Sequence, residues 1–220
     1  MELAYTPAIA HPERLGILME DGTIGAGVCQ EWLYSRWMRK SGCGPCTASA
    51  IFFYLSRKSP ELLPLCSFAE PDARVMTQAQ AVEMVNAMWR HLTPGYMGVN
   101  TVEMFMEGAM GYARTAGVDL SPMQLHIPGC TSRLWPFSAY VDFIERGLLS
   151  DCPVAFLNLS NGSEHNLDGW HWVTIVSLHR EPGDAKVLVE IVDDIQLKQI
   201  NFKKWYDTTF LGGALAWFKT

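Results

Sequence analysis

The sequence predicts an α+β fold, with helices first and a sheet last. Three observations carry this. Up to about residue 150 the apolar residues recur at helical spacing. Beyond it the apolar runs are short, rich in β-branched residues and separated by turn residues. No internal repeat, low-complexity tract or Gly/Ser linker divides the chain. With 220 residues, 49% of them hydrophobic and 18% charged, the chain is long enough to bury one substantial core. A single domain over residues 1–220 is expected, mainly helical to about 150 and sheet-forming from about 151.

The helices follow from periodicity. In "QAQAVEMVNAMWRHL", Val82, Val85, Met88 (or Trp89) and Leu92 fall on one face. A second helix is expected from an Asn100 cap, with Glu103 at the third helical position in a capping-box-like arrangement, to a stop near Gly117. "SAYVDFIERGLL" gives a third, with Tyr140, Val141, Ile144 and Leu148 inward. The methionines of the 75–125 region (Met84, Met88, Met104, Met106 and Met110) lie at helical spacing and are read as core. The rival reading is an adaptable peptide-binding or dimerisation face.

The later runs "PVAFLNL", "HWVTIVSL", "KVLVEIV", "QLKQINF" and "GALAWFK" are expected to form an antiparallel meander. "HREPGDA" supplies a turn, because Pro182 fixes φ and Gly183 tolerates positive φ.

Charge and termini exclude several roles. A net charge of −6 and a pI near 5.5 leave no basic surface for nucleic acid, and the cluster Arg36, Arg39 and Lys40 is small. The start "MELAYTPAIAHPERLG" has neither a basic n-region nor an apolar h-region. No stretch approaches the roughly 18 uninterrupted apolar residues of a membrane helix, so a cytoplasmic protein without a membrane partner is expected. The six cysteines, at 29, 43, 46, 66, 130 and 152, do not read as a disulfide framework in that setting. Beyond Cys43 and Cys46 no second CxxC or His pair stands at ligand spacing, so neither zinc nor a cofactor is expected.

Chemistry concentrates in "SGCGPCTASAIFFYL". Gly44 allows a tight turn, Pro45 suits a first helical position, and Ala48, Ala50, Ile51 and Leu55 continue a buried helix. Cys43 then sits at the positive end of a helix dipole, where backbone N–H groups also favour a developing oxyanion. A cysteine at a helix start also serves as small packing, and it becomes a nucleophile only beside a base. The base is expected at His171, which opens the strand of "GWHWVTIVSL"; the other five histidines lie in turns, on a helix or near the terminus. "KVLVEIVDD" places Asp193 and Asp194 after the next strand, where either carboxylate can accept an imidazole N–H. Trp170 and Trp172 flank the histidine as cleft wall or as packing.

"GCGPCTASAIF", "GWHWVTIVSL" and "VEIVDD", in that order and at papain-type spacing, resemble the papain-like cysteine peptidase superfamily. The closest likeness is to its bacterial branch of double-glycine (bacteriocin leader) peptidases. The resemblance implies a nucleophile helix packed on a C-terminal antiparallel sheet and a Cys43–His171–Asp193 triad. It implies hydrolysis of a peptide or small amide through a thioester acyl-enzyme, with no cofactor. Such enzymes place an oxyanion Gln six residues before the nucleophile. Position 37 is Trp here, and the nearest upstream Gln is Gln30, which serves only if "EWLYSRWMRKSG" folds back. Cys46 is the rival nucleophile, although Cys-Gly-Pro enzymes carry a small packing residue there. Two other roles compete: a catalytically decayed peptide-binding module, and a CGPC thiol–disulfide oxidoreductase. The latter needs a strand before the motif, where this sequence reads as helix or loop.

Overall fold

The computed structural model describes residues 6–133 and 135–220; residues 1–5, which form part of the terminus considered above, lie outside it. The chain is an α+β fold. Its first half holds β1 (Gly16–Leu18), β2 (Ile24–Ala26), α1 (Arg36–Ser41), α2 (Cys43–Ser56), β3 (Met76–Thr77), α3 (Gln78–Trp89) and α4 (Val102–Thr115). There follow β4 (Ser121–Ile127), α5 (Phe137–Leu149), β5 (Val154–Asn158), β6 (His171–Arg180), β7 (Val187–Asp193), β8 (Gln196–Asn201), α6 (Phe202–Thr208) and β9 (Gly213–Lys219).

The main sheet has the order β4-β9-β5-β6-β7-β8, every pairing antiparallel. Only β5 to β8 form the expected meander. The last run, β9, crosses back to lie between β5 and β4, and the strand β4 arises within the part read as helical. The reason is burial: β9 is buried in all but its last residue, so it occupies an interior position rather than the edge that a simple meander would give it. β1, β2 and β3 form a separate small sheet.

Helices cover both faces of the main sheet, and the alternation along β9 shows it directly. Phe218 meets Phe52 of α2, ring centroids 5.0 Å apart, whereas its neighbour Trp217 meets Phe143 of α5 on the other side at 6.1 Å. On that second side Phe156 of β5 packs against Phe202 and Trp205 of α6. α2 is the central helix, buried from Gly44 to Ser56, and an apolar surface all round is what such a position requires.

Two helix details differ from expectation. Thr101, not Asn100, caps α4: its extended backbone lets its hydroxyl accept from the Met104 N–H at 3.2 Å. That frees Glu103, one position earlier in the turn, to pair with His126 at 2.6 Å. On α3 the inward face is Ala81, Met84, Val85 and Met88, with Val82 rotated to half-burial. The helix begins from the Thr77–Gln80 capping box, and the small Ala81 is the residue that turns inward. Met84, Met88 and Met106 are buried, and Met104 and Met110 pack partly buried against the core, as the core reading expects.

Phe105 of α4 stacks on Trp172 of β6 at 4.2 Å and 18°, tying the helical layer to the strand that begins at His171. Phe105→Ala is expected to cost about 3–5 kcal/mol, the usual loss for a fully buried phenylalanine. Urea unfolding followed by circular dichroism measures it.

Candidate active site

The thiol of Cys43 is positioned by two helices in series. α1 ends at Ser41, Gly42 keeps a helical backbone, and α2 starts at Cys43 itself. Cys43 therefore stands at the first helical position and Pro45 at the third, two residues further in than the sequence suggested. The segment before the motif is helix rather than strand, so the context of a dithiol oxidoreductase is missing. Only glycine fits at 42, because a Cβ there would lie 2.6 Å from both the Leu33 side chain and the Met38 carbonyl oxygen. The same packing brings Gln30 in: its Cβ would be 3.4 Å from a Cβ at Gly42. "EWLYSRWMRKSG" does fold back, as a 3-10 turn at Gln30–Trp32 followed by α1.

His171 opens β6, and Asp193 closes β7. The ladder pairs Thr174 with Val192, so Asp193, one residue further, comes to the start of β6 where the imidazole stands. His171 Nε2 and Asp193 Oδ1 are 2.7 Å apart. Asp193 is an ionised acceptor, so Nε2 carries the hydrogen and Nδ1 is left without a protein hydrogen-bond partner among the described residues, on a ring that lines the same chamber as Cys43. Burial by itself would push the imidazole pKa down from its ordinary 6.5. The hydrogen bond to Asp193, its negative charge and the neighbouring Cys43 outweigh that and hold it up at about 10.

The two aspartates differ in their partners. Asp193 pairs with His171, whereas Asp194 lines the same chamber without reaching the imidazole and lies near Cys29, whose pKa is pushed up to about 12 by burial and by that carboxylate. The turn between them and β8 is strained. Asp194 and Ile195 both have positive φ, 50° and 64°, the two-residue hairpin geometry that favours Asn-Gly. For a β-branched isoleucine this is costly, and the Ala26 N–H, which donates to the Ile195 carbonyl at 2.9 Å, helps hold it.

Lys198 is a site residue that sequence reasoning missed. Its Nζ donates to Asp193 Oδ2 at 2.8 Å, so the buried carboxylate is held from both sides. Burial alone would raise the Asp193 pKa; His171 and Lys198 hold it below its ordinary value. A lysine in "QLKQINF" reads as a solvated strand residue. The available signal was the short hairpin, which sets position 198 diagonally across from 193.

Cys43 lies between two cavities. One is a chamber of about 30 Å³, room for a water molecule or two, lined among others by Gln30, Cys43, Cys46, His171 and Asp193. Gln30 Oε1 is buried in the protein without a hydrogen-bond partner. Rotating the carboxamide exchanges it for the Nε2 donor that an oxyanion needs. Cys46 is buried, and burial pushes its thiol well up, so a substrate in solution meets the half-exposed Cys43 rather than Cys46.

The other cavity is an open cleft of about 320 Å³. Trp37, Tyr96, Met97 and Trp170 line it while remaining 44–93% exposed, and Lys40 is its one charged wall residue. Trp170 thus forms cleft wall, held at φ 56°. Trp172 is packing: it is buried, and its Nε1 donates to the Val99 carbonyl at 2.6 Å.

Among the described residues no group of three or more His, Cys, Asp or Glu is placed to hold a metal, and no helix is long and apolar enough to cross a membrane. No protein-family model, curated protein or solved structure matches the chain.

The raised pKa of His171 has a defined sign. Folding takes up a proton between pH 6.5 and about 10, so the contribution of His171 to stability is complete below 6.5 and is lost as pH rises through 10. Asp193, shifted the other way, contributes above its ordinary 3.8 and loses its contribution as pH falls through its lower folded value. NMR titration of the imidazole ring is expected to find both nitrogens of His171 protonated at pH 8. In Cys43→Ala the pKa is expected to fall, because one of the groups raising it is gone.

Proposed function

We propose that this chain is a papain-like thiol hydrolase that cleaves a peptide or other amide bond. One observation carries the reading: Asp193 occupies one imidazole nitrogen of His171, and the ring shares a chamber with the thiol of Cys43 at the start of a fourteen-residue helix. That is the arrangement nucleophilic catalysis by cysteine needs, with a base oriented by a third group.

His171 takes the Cys43 proton, and the sulfur attacks the substrate carbonyl. The Cys43 backbone N–H and the Gln30 carboxamide hold the oxyanion. The imidazolium then protonates the leaving amine, and a water activated by His171 hydrolyses the thioester. Asp193, fixed by Lys198, keeps the imidazole in the tautomer and orientation that both steps use. The substrate lies in the cleft beside Cys43, whose exposed Trp37, Tyr96, Met97 and Trp170 fit a large apolar side chain next to the scissile bond.

A panel of fluorogenic peptide amides varied beside the scissile bond tests this. Turnover is expected for aromatic or large aliphatic members, to vanish in Cys43→Ala and to fall by about 10²–10⁴ in His171→Ala. Trp170→Ala is expected to lower kcat/KM for the apolar members by roughly 10–100-fold. Turnover equal in wild type and Cys43→Ala would remove Cys43 as the nucleophile, and no turnover with any member would favour the decayed peptide-binding module.

A further inference from the structure

The hydrolytic reading leaves Cys46 without a task, although it shares the triad chamber with the nucleophile. We infer that Cys43 and Cys46 form a reversible oxidation site, in which a hydroperoxide oxidises Cys43 and Cys46 resolves the product as an intrahelical disulfide. The inference uses the two sulfurs and the imidazole of His171, and stands whether or not the chain hydrolyses amides.

The geometry carries it. Cys43 and Cys46 are the first and fourth residues of α2, one turn apart, and both line the chamber of about 30 Å³. Residues spaced by three on a helix have Cβ atoms about 5–6 Å apart. A disulfide needs about 3.5–4.5 Å, so the first turn must tighten by about 1–2 Å. This turn is suited to yielding: Pro45 contributes no N–H, and the bond at stake is the one from the Cys46 N–H to the Gly42 carbonyl, 2.9 Å. A disulfide made with such distortion is more easily reduced, which makes the modification reversible.

Access is divided in the same way. Cys43 is half-exposed, whereas Cys46 is 4% exposed. An oxidant therefore meets Cys43 first, and Cys46 meets only what forms on its neighbour. The third thiol nearby, Cys29, is buried and does not line the chamber.

The chemistry balances. With its proton on His171, the Cys43 sulfur attacks the outer oxygen of a hydroperoxide ROOH and the O–O bond breaks. Cys43 becomes the sulfenic acid S–OH, and RO⁻ leaves as ROH with the proton from His171. The Cys46 sulfur then displaces the hydroxyl, which departs as water with the Cys46 proton, and the S–S bond forms. Two electrons have passed from the thiol pair to the peroxide, and a dithiol reductant returns them.

Trypsin cuts after Lys40 and Arg57, so residues 41–57 carry both cysteines, while Cys29 lies in the separate peptide 15–36. The full chain is exposed to hydrogen peroxide, alkylated, digested and read by mass spectrometry. Peptide 41–57 is expected to lose two hydrogens and to take no alkyl group. After dithiothreitol it is expected to accept two.

In Cys46→Ala the same peptide is expected to be trapped by dimedone as sulfenic acid and then to overoxidise beyond rescue by dithiothreitol. An unchanged alkylation rate of Cys43 before oxidation establishes that this variant is folded at the site. Overoxidation of Cys43 in the wild type without the two-hydrogen loss, or a cross-link between peptides 41–57 and 15–36, would overturn the inference.

Discussion

The site rests on one buried carboxylate. The Asp193 side chain is 3% exposed, and an ionised carboxylate at that depth persists only when its charge is matched and its oxygens are bonded. His171 takes one oxygen and Lys198 the other. With Asp193 held ionised, its oxygen can only accept, which fixes the hydrogen on His171 Nε2 and leaves Nδ1 without it, on a ring that shares its chamber with Cys43. The tautomer and orientation of the His171 ring follow from the pairing of that single charge. Removing Lys198 or His171 alone leaves a buried charge half-matched, a costlier change than the loss of one exposed ion pair.

The fold delivers the three groups to one place through close approach. α2 is buried along nearly its whole length and packs against β6, so its start is fixed relative to the strand that carries the base. Gly42 lets Leu33 and Gln30 close on the start of the helix that carries Cys43. Gly44, where a Cβ would sit 3.0 Å from Val99, lets the helix start meet the loop whose carbonyl anchors Trp172. Unfavourable backbone is concentrated beside the triad: Trp170 immediately before the base, and Asp194 with Ile195 immediately after the carboxylate, all have positive φ. Such conformations cost free energy and persist only where the surroundings determine them, which here means the two strand ends that present His171 and Asp193.

Much of this was legible in the sequence because it is local. The apolar period of α5, the buried run that became α2, and Cys43, His171 and Asp193 at element ends are all read from residues close in the chain. What was hidden depends on tertiary neighbours. Asn100 and Thr101 are both competent caps, and only the backbone chooses between them. The crossing of β9 into the sheet interior reflects both its faces being covered, and an apolar run shows burial without showing its neighbours. Choosing Asp193 over Asp194 required the ladder register, which sets Asp193 at the last paired position beside His171 and leaves Asp194 in the turn. Gln30 required the fold-back of α1, Lys198 required a hairpin turn made from Asp-Ile, and the cleft gathers Trp37, Tyr96 and Trp170 from three distant segments.

The central claim is that His171 activates the thiol of Cys43, and the most direct measurement is the alkylation rate of each of the six cysteines by iodoacetamide at pH 7. Peptide mass spectrometry reads it in the wild type and in His171→Ala. The account predicts that Cys43 reacts fastest in the wild type and loses that lead when the imidazole is removed. A fast Cys46, or a Cys43 whose rate is the same with and without His171, would contradict it.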